Sequence, residues 1–459
     1  MRFRYKPIIG FVALFIAGVA LFPLPSARAQ ADEERLPITY ALDDCISIAL
    51  RQSPGVLAAA EEMKRTKGVI WEVWTSILSV NADASYTYFE TPPGTTLPAG
   101  AFGPGLPASD VFMGIPSHDQ YNVGVQGELP IFTGGRVASG LAIAYLGRDI
   151  AYEQYRQATN DTLYNVRVAF WSIVLAREVV RVRTDALDLL TKHLETTKKK
   201  YDVGVVSRFD LLRAEVEVAN ARPPLISAKN DLKIASDTLK RLLGIDPGEP
   251  FEVEGELTLV EEPVDLTGVL AAADTASPEL SIARKTERIA KKGVNLVVGE
   301  FLPTISTFAR YEGTINDFSW NEDDWGWDFT AGVMITVPLT DLMVSAAKLK
   351  QANADYHKAK IGLLDTTNKV KLDVKKAYYD LAGAREIVES QRLNIDMAAE
   401  ALKIAEVRYE NGISTLLELM DAQLALTTAR LNYLNALFSY EEAKARLKKI
   451  TGAEGPKRK

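Results

Sequence analysis

Cysteine is almost missing from this chain: Cys45 is the single example in 459 residues. One thiol excludes an internal disulfide framework and any centre built from several cysteines, whether zinc or iron–sulfur. Histidine is nearly as scarce, and His118, His193 and His357 are too scattered to form a metal cluster. No sign of charge dominates, and a formal charge of −7 offers no basic footprint for nucleic acid. Ser, His and acidic residues show no nucleophile-elbow or metal spacing, so an exported hydrolase has no support. The chain reads as a non-enzyme without cofactor or metal. Beyond the N-terminus no stretch reaches 18 uncharged apolar residues, which excludes a transmembrane helix in the remainder. If this protein enters a membrane, it does so as strands.

What is present begins with an address. Arg2, Arg4 and Lys6 precede an apolar run from Ile8 to Phe22, followed by Pro23, Pro25 and the small-residue site Ala27-Arg28-Ala29. This order is that of a secretory signal peptide cleaved after Ala29. Cleavage takes the formal charge from −7 to −11. The remaining composition, 47% hydrophobic and 25% charged, suits a folded chain.

The rest is written twice. Gly124 to Gly244 matches Gly332 to Gly452 at a constant offset of 208 without a gap. Pro130 falls on Pro338, Tyr201 on Tyr409, Gly204 on Gly412, and Ala221-Arg222 on Ala429-Arg430. Upstream, Ser53-Pro54 matches Ser277-Pro278 and Tyr86 matches Tyr311. The first copy carries a longer loop, rich in Pro and Gly between Pro92 and Pro107, as exposed turns are.

Each copy opens with strict alternation. Val80, Ala82, Ala84, Tyr86 and Tyr88 alternate with Asn81, Asp83, Ser85 and Thr87; Tyr121 to Ile131 and Trp327 to Leu339 do the same, and Ile305 to Tyr311 more weakly. Such a pattern predicts strands with one apolar and one polar face, long enough for the roughly 9–11 residues of a tilted membrane strand. Pro130 and Pro338 are expected to end their strands.

Heptads follow. In the second copy the seam runs from Leu363 through Val370, Val374, Ala377, Leu381, Ala384, Val388 and Leu402 to Tyr409. The first copy repeats it with Thr159, Thr162, Arg183 and Thr197 as exceptions. A helix of about 65 residues spans roughly 100 Å and must project from any compact core. Shorter seams with alanine every seventh residue, from Ala214 and from Ala422, predict antiparallel partners. Between long and short helices, Gly204 and Gly412 predict left-handed stops, and Ser207/Asp210 and Thr415/Glu418 have capping-box spacing. Pro223-Pro224, where the second copy has Leu431-Asn432, predicts a kink or local opening.

Four strands cannot close a barrel, and a sheet with open edges is not tolerated in lipid. The barrel must be shared, by two copies with eight strands or three with twelve, and the polar face at Asn81, Asp83, Asn122, Gln126, Asp328 and Thr330 favours the wider one. The domain order expected is a signal peptide at 1–29, an N-terminal segment at 30–78, and a hairpin at 79–132 with an external loop at 90–118. A coiled-coil hairpin at 136–244 with its tip near 201–210, a linker with a short helix at 245–276 and a helix at 277–302 come next. A second hairpin at 303–339, a second coiled coil at 341–452 with its tip near 409–418, and a basic tail at 453–459 complete it.

With the duplication, the entry motif Leu42-Asp-Asp-Cys-Ile-Ser-Ile-Ala-Leu50…Ser53-Pro54, the corner Leu129-Pro-Ile-Phe-Thr-Gly-Gly-Arg136 and the Tyr-x-x-Gly turns, the sequence resembles the TolC-like outer-membrane efflux proteins. The resemblance covers essentially the whole mature chain. It implies a mixed, mainly α fold: four membrane strands and long antiparallel coils per protomer, a homotrimer with a twelve-stranded barrel in the outer membrane, and a twelve-helix periplasmic tunnel. It also implies a periplasmic adaptor (membrane fusion) protein and an inner-membrane pump or secretion ATPase as partners, and passive export of drugs or proteins. The turns would form the adaptor-contacting tip at Gly204, Val205, Ser207, Gly412, Ile413 and Thr415. Glu418 and Asp421 would match the acidic pore constriction, and Tyr409 and Asp210 the pair that holds the aperture shut, with Ser414 where the family can place a basic residue. The competing reading is an exported coiled-coil scaffold, which explains heptads and export but leaves the strands without a role.

Overall fold

The computed structural model describes residues 38–90, 95–97, 109–111, 118–246, 248–260, 263–339 and 342–452. The signal peptide with its cleavage site, most of the 90–118 loop and the basic tail at 453–459 lie outside the described residues.

The chain runs through the same series twice. β1 (Ile38–Tyr40) leads to α1 (Leu42–Gln52) and α2 (Pro54–Thr75), then β2 (Ser79–Tyr88), the short β3 (Thr95–Leu97) and β4 (Ser109–Val111), and β5 (Asp119–Phe132). α3 (Arg136–Asp202) and α4 (Arg208–Leu243) complete the first copy. After β6 (Phe251–Val253) come α5 (Leu266–Ala276), α6 (Pro278–Val298), β7 (Thr304–Ile315), β8 (Gly326–Thr336), α7 (Leu342–Glu410) and α8 (Leu416–Thr451). The copies agree in detail. Ser53 and Ser277 both precede a helix-opening proline, whose missing amide costs nothing at that position. α4 and α8 each have 36 residues and stop at a left-handed glycine, Gly244 or Gly452.

Four strands form one antiparallel sheet in the order β2-β5-β7-β8. Its register keeps the two faces in phase across every strand: Ala82 faces Val125, Val125 faces Tyr311, and Tyr311 faces Phe329. On the other side Asn81 faces Gln126, Gln126 faces Arg310, and Arg310 faces Thr330. A one-residue slip would exchange the faces, so the alternation itself specifies the pairing. Pro130 does not end its strand, contrary to the sequence expectation. It pairs with Ser306 inside β5, and a register shift between Pro130 and Phe132 accommodates the ring and its missing donor. Pro338 does lie beyond β8.

The long helices, of 67 and 69 residues, pack on their shorter partners. At 1.5 Å per residue each is about 100 Å long. Val374, Ala377 and Val388 of the second seam are buried, as are Thr159, Thr162 and Thr197 where the first seam departs from apolar residues. The threonines fit because hydroxyls satisfy themselves on the helix, as Thr159 Oγ1 does on the Tyr155 carbonyl at 2.9 Å. The main core lies around Phe170, Leu239, Leu243, Ala377 and Leu437, where α1, α3, α4, α7, α8 and β6 meet. Pro223 and Pro224 do not open α4, which is continuous through both. The carbonyls deprived of a donor belong to Ala219 and Asn220, both exposed, so solvent can take them. Among the described residues no helix is long and apolar enough to cross a membrane.

Candidate functional site: sheet faces and helical tips

Two regions can act on something outside the chain. The first is the sheet. Val80, Tyr88, Phe329, Val333 and Ile335 leave more than half of their surface uncovered. A soluble monomer rarely leaves so continuous an apolar face bare. β2 and β8 are both edge strands, with unpaired backbone groups along their outer sides. The opposite face is polar and charged: Arg310 pairs with Glu312 and approaches Asp83 at 3.8 Å, and Thr314 Oγ1 donates to Asn122 at 2.9 Å.

The second region is the pair of helical tips. Lysine and tyrosine carbonyls at the end of α3 are capped by the turn itself, with Gly204 N–H on Tyr201 and Val205 N–H on Lys200. The same two bonds recur at Gly412 on Tyr409 and Ile413 on Arg408. Both closures need a residue at positive φ, which Gly204 (79°) and Gly412 (72°) supply. The new helices then start on side-chain caps. The Ser207 hydroxyl accepts from the Asp210 amide at 3.2 Å, and the Asp210 carboxylate accepts in return from Ser207 N–H at 3.2 Å and Oγ–H at 2.7 Å.

The second tip has half of that device. Thr415 Oγ1 accepts from the Glu418 amide at 3.3 Å. The Glu418 carboxylate does not return to Thr415 but stands 3.6 Å from the Arg408 guanidinium, with both side chains half exposed. Capping therefore does not consume Glu418. Asp421, also exposed, lies one turn further on the same side of α8.

Tyr409 and Asp210, expected to bond to each other, are not hydrogen-bonded among the described residues. Tyr409 is buried at the end of the α7 seam; its hydroxyl lies 3.5 Å from that of Thr197 and its ring 4.3 Å from the Lys200 ammonium. Asp210 is held by its own helix cap, the stronger claim on a carboxylate three residues from Ser207. Ser414 Oγ is buried with no hydrogen-bond partner among the described residues. His193, near Glu406 and Glu410, has its pKa lowered by burial, against the pull of those carboxylates.

The sequence reading missed Val203 and Phe209, which are about 70% exposed at the first tip beside Val205. An apolar residue on each side of a turn glycine was the signal. Together with Ile413 they give the tips an apolar surface suited to contact with a protein partner.

A family model described as outer membrane efflux protein matches residues 46–245 and 269–453. The chain is 23% identical over 330 residues to the outer membrane efflux protein BepC of Brucella suis, covering 72% of each. It is 23% identical over 331 residues to the cobalt-zinc-cadmium resistance protein CzcC of Cupriavidus metallidurans, covering 71% of this chain and 76% of that one. In fold it is similar to the Campylobacter jejuni CmeC outer membrane channel, with a TM-score of 0.76 and 15% identity over 95% of this chain and 94% of that one. The two matched stretches fall one on each half of the duplication, and this chain belongs to the outer membrane efflux protein family, whose members are channels of the outer membrane rather than enzymes.

Proposed function

We propose that three copies of this chain form one passive export channel. The observation that carries the reading is the four-stranded sheet with a bare apolar face, a polar face and two open edges. In lipid those edges must be paired, and twelve strands from three copies leave a lumen wide enough for water on the polar side. The helices would continue the barrel as a periplasmic tunnel. A periplasmic adaptor and an inner-membrane pump or ATPase would grip the tips at Gly204, Val205, Ser207, Gly412, Ile413 and Thr415. Glu418 and Asp421, exposed at the start of α8, would line the constriction, where repeated carboxylates focus negative potential and favour cations.

The resting tip is closed in this account, with Tyr409 held by Thr197 and Lys200. Adaptor docking favours a separated arrangement of the coils and shifts the population toward it. The test is conductance of the detergent-extracted protein in planar bilayers. Glu418→Ala with Asp421→Ala should shift the reversal potential in a salt gradient toward non-selectivity. An unchanged reversal potential removes the constriction from these residues, and a protein recovered in the soluble fraction without detergent overturns the channel itself.

A further inference from the structure

The last turns of α3 turn a polar stripe toward α7. Thr197, fully buried, meets the Tyr409 hydroxyl at 3.5 Å, and Lys200 lies over the Tyr409 ring. His193 continues the stripe one turn before Thr197, on the same side of the helix. Its side chain is half-buried, and Nε2 is closed off from solvent with no hydrogen-bond partner among the described residues. A dry, unpaired ring nitrogen costs free energy when the imidazole is neutral, and more once it is charged.

The surrounding groups decide what a proton does there. From α7 come Glu406, half-buried, and Glu410, exposed, and the charge of both acts on the ring. From α8, Leu416 and Leu419 join Leu402 and Tyr409 in an apolar cluster, against which Leu189 and Leu194 of α3 pack. The charged residue at that end of α8, Glu418, stands by Arg408. From α4, Arg213 and Glu217 line a neighbouring cleft with Arg183 and Leu190. On α3 itself Lys192 and Glu195 are exposed, and Lys200 is engaged with Tyr409. Burial outweighs the two carboxylates, so the ring holds a proton less readily than a histidine at its ordinary value of 6.5. The packed coils favour the neutral imidazole.

We infer that His193 is a proton-operated release for the helical tips: protonation of its imidazole weakens the seat of α3 on α7 beside the Thr197–Tyr409 contact and shifts the tips toward their separated form. Proton linkage sets the direction. A histidine that binds its proton more weakly when packed stabilises the packed form fully above 6.5, and that stability is lost as the pH falls below it. In the separated form the ring regains water, so that form takes up the proton and is drawn out by acid. The duplication does not repeat the arrangement, since the offset of 208 puts Ala401 in place of His193, and Lys198 and Asp202 in place of Glu406 and Glu410. The release rests on the reading of this chain as a channel closed at its tips, and it can fail while that reading stands.

The experiment records open probability of the full, detergent-extracted chain in planar bilayers between about pH 7.5 and 5.5, where histidine titrates and carboxylates stay charged. Open probability should rise several-fold as the pH falls. His193→Leu keeps an apolar side chain in the packed coil and should hold one value across the range. His193→Gln, neutral throughout and still able to hydrogen-bond, should do the same and serves if the leucine variant fails to fold. Glu406→Gln with Glu410→Gln removes the charge that eases protonation, so the midpoint should move to lower pH, a displacement that a merely structural role would not give. His118 and His357 are exposed, and His118→Gln with His357→Gln should leave the response as it was. A flat response in the unsubstituted protein, or a pH response that survives in both His193 variants, would overturn the release and leave the channel reading intact. No conductance at any pH would overturn both.

Discussion

The Lys200 ammonium lies 4.3 Å from the centre of the Tyr409 ring, at the place where the ends of α3 and α7 meet. A cation over a tyrosine face is worth about 0.5–1 kcal/mol where solvent reaches it. Together with the Thr197–Tyr409 hydroxyl contact it joins the ends of the two coils, so it acts on the separation of the tips. Lys200→Met should raise open probability in planar bilayers by about 2- to 5-fold, the same free energy read as a population ratio. Lys200→Arg should leave it near the original value. Equal conductance in all three proteins would remove this contact from gating.

The two tips should respond differently to loss of their acids. Asp210→Ala removes a reciprocal cap and should destabilise the start of α4 by about 1 kcal/mol, seen as earlier hydrogen exchange in residues 208–212. Glu418→Ala leaves the Thr415 cap in place and breaks only a half-exposed pair with Arg408, worth at most about 1 kcal/mol. Its exchange rates at the start of α8 should barely change. Equal acceleration at both tips would contradict the asymmetry.

Gly204→Ala and Gly412→Ala test backbone conformation alone, because a Cβ at either position meets nothing within 4 Å. Each should cost about 1–2 kcal/mol through positive φ, with asparagine partly restoring stability. Gly134→Ala should be worse. Its φ is also positive, and a Cβ would fall 2.5 Å from the Gly299 carbonyl oxygen at the corner between sheet and helix. Thermal melts of the three variants should rank accordingly.

Glu153 is buried between Lys285 at 3.0 Å and Arg156 at 2.7 Å, and Arg156 also donates to the Ala276 carbonyl. Burial alone would raise its pKa, but hydrogen bonds and charge from Lys285 and Arg156 outweigh this and hold it below the usual carboxylate value. A depressed folded pKa means stability that is complete above the unfolded value near 4.5 and is lost as pH falls through the lower, folded one. Glu153→Gln should therefore flatten the acid limb of a denaturation profile below the ordinary glutamate value of 4.5. Glu153→Ala, which strands two buried cations, should cost about 3–5 kcal/mol at neutral pH. An unaltered acid limb would show that the cluster is not what titrates.

Much of the molecule was readable beforehand for simple physical reasons. Periods of two and of three and a half place residues on faces, and a gapless offset of 208 carries the helix assignments of 136–244 onto the second copy. Gly204 and Ser207 announced the turn and the cap because few residues adopt positive φ or accept from a free amide. Pro130 was misread because a strand can absorb a missing donor through a bulge, a decision taken by the neighbouring strand β7 rather than by the proline. Val203 and Phe209 were overlooked because an apolar residue in a turn has no period to betray it.

Sequence alone determined the duplication, the faces of each strand and helix, and the chemistry of the turns, since all of these are set by neighbours a few residues away. Tertiary structure decided which partners the side chains take. Asp210 goes to its own cap, Glu418 to Arg408, and Tyr409 to Thr197 and Lys200, because those choices depend on where separate helices end relative to one another. It also showed which surfaces one copy leaves bare, and that is a property of packing which no linear pattern contains.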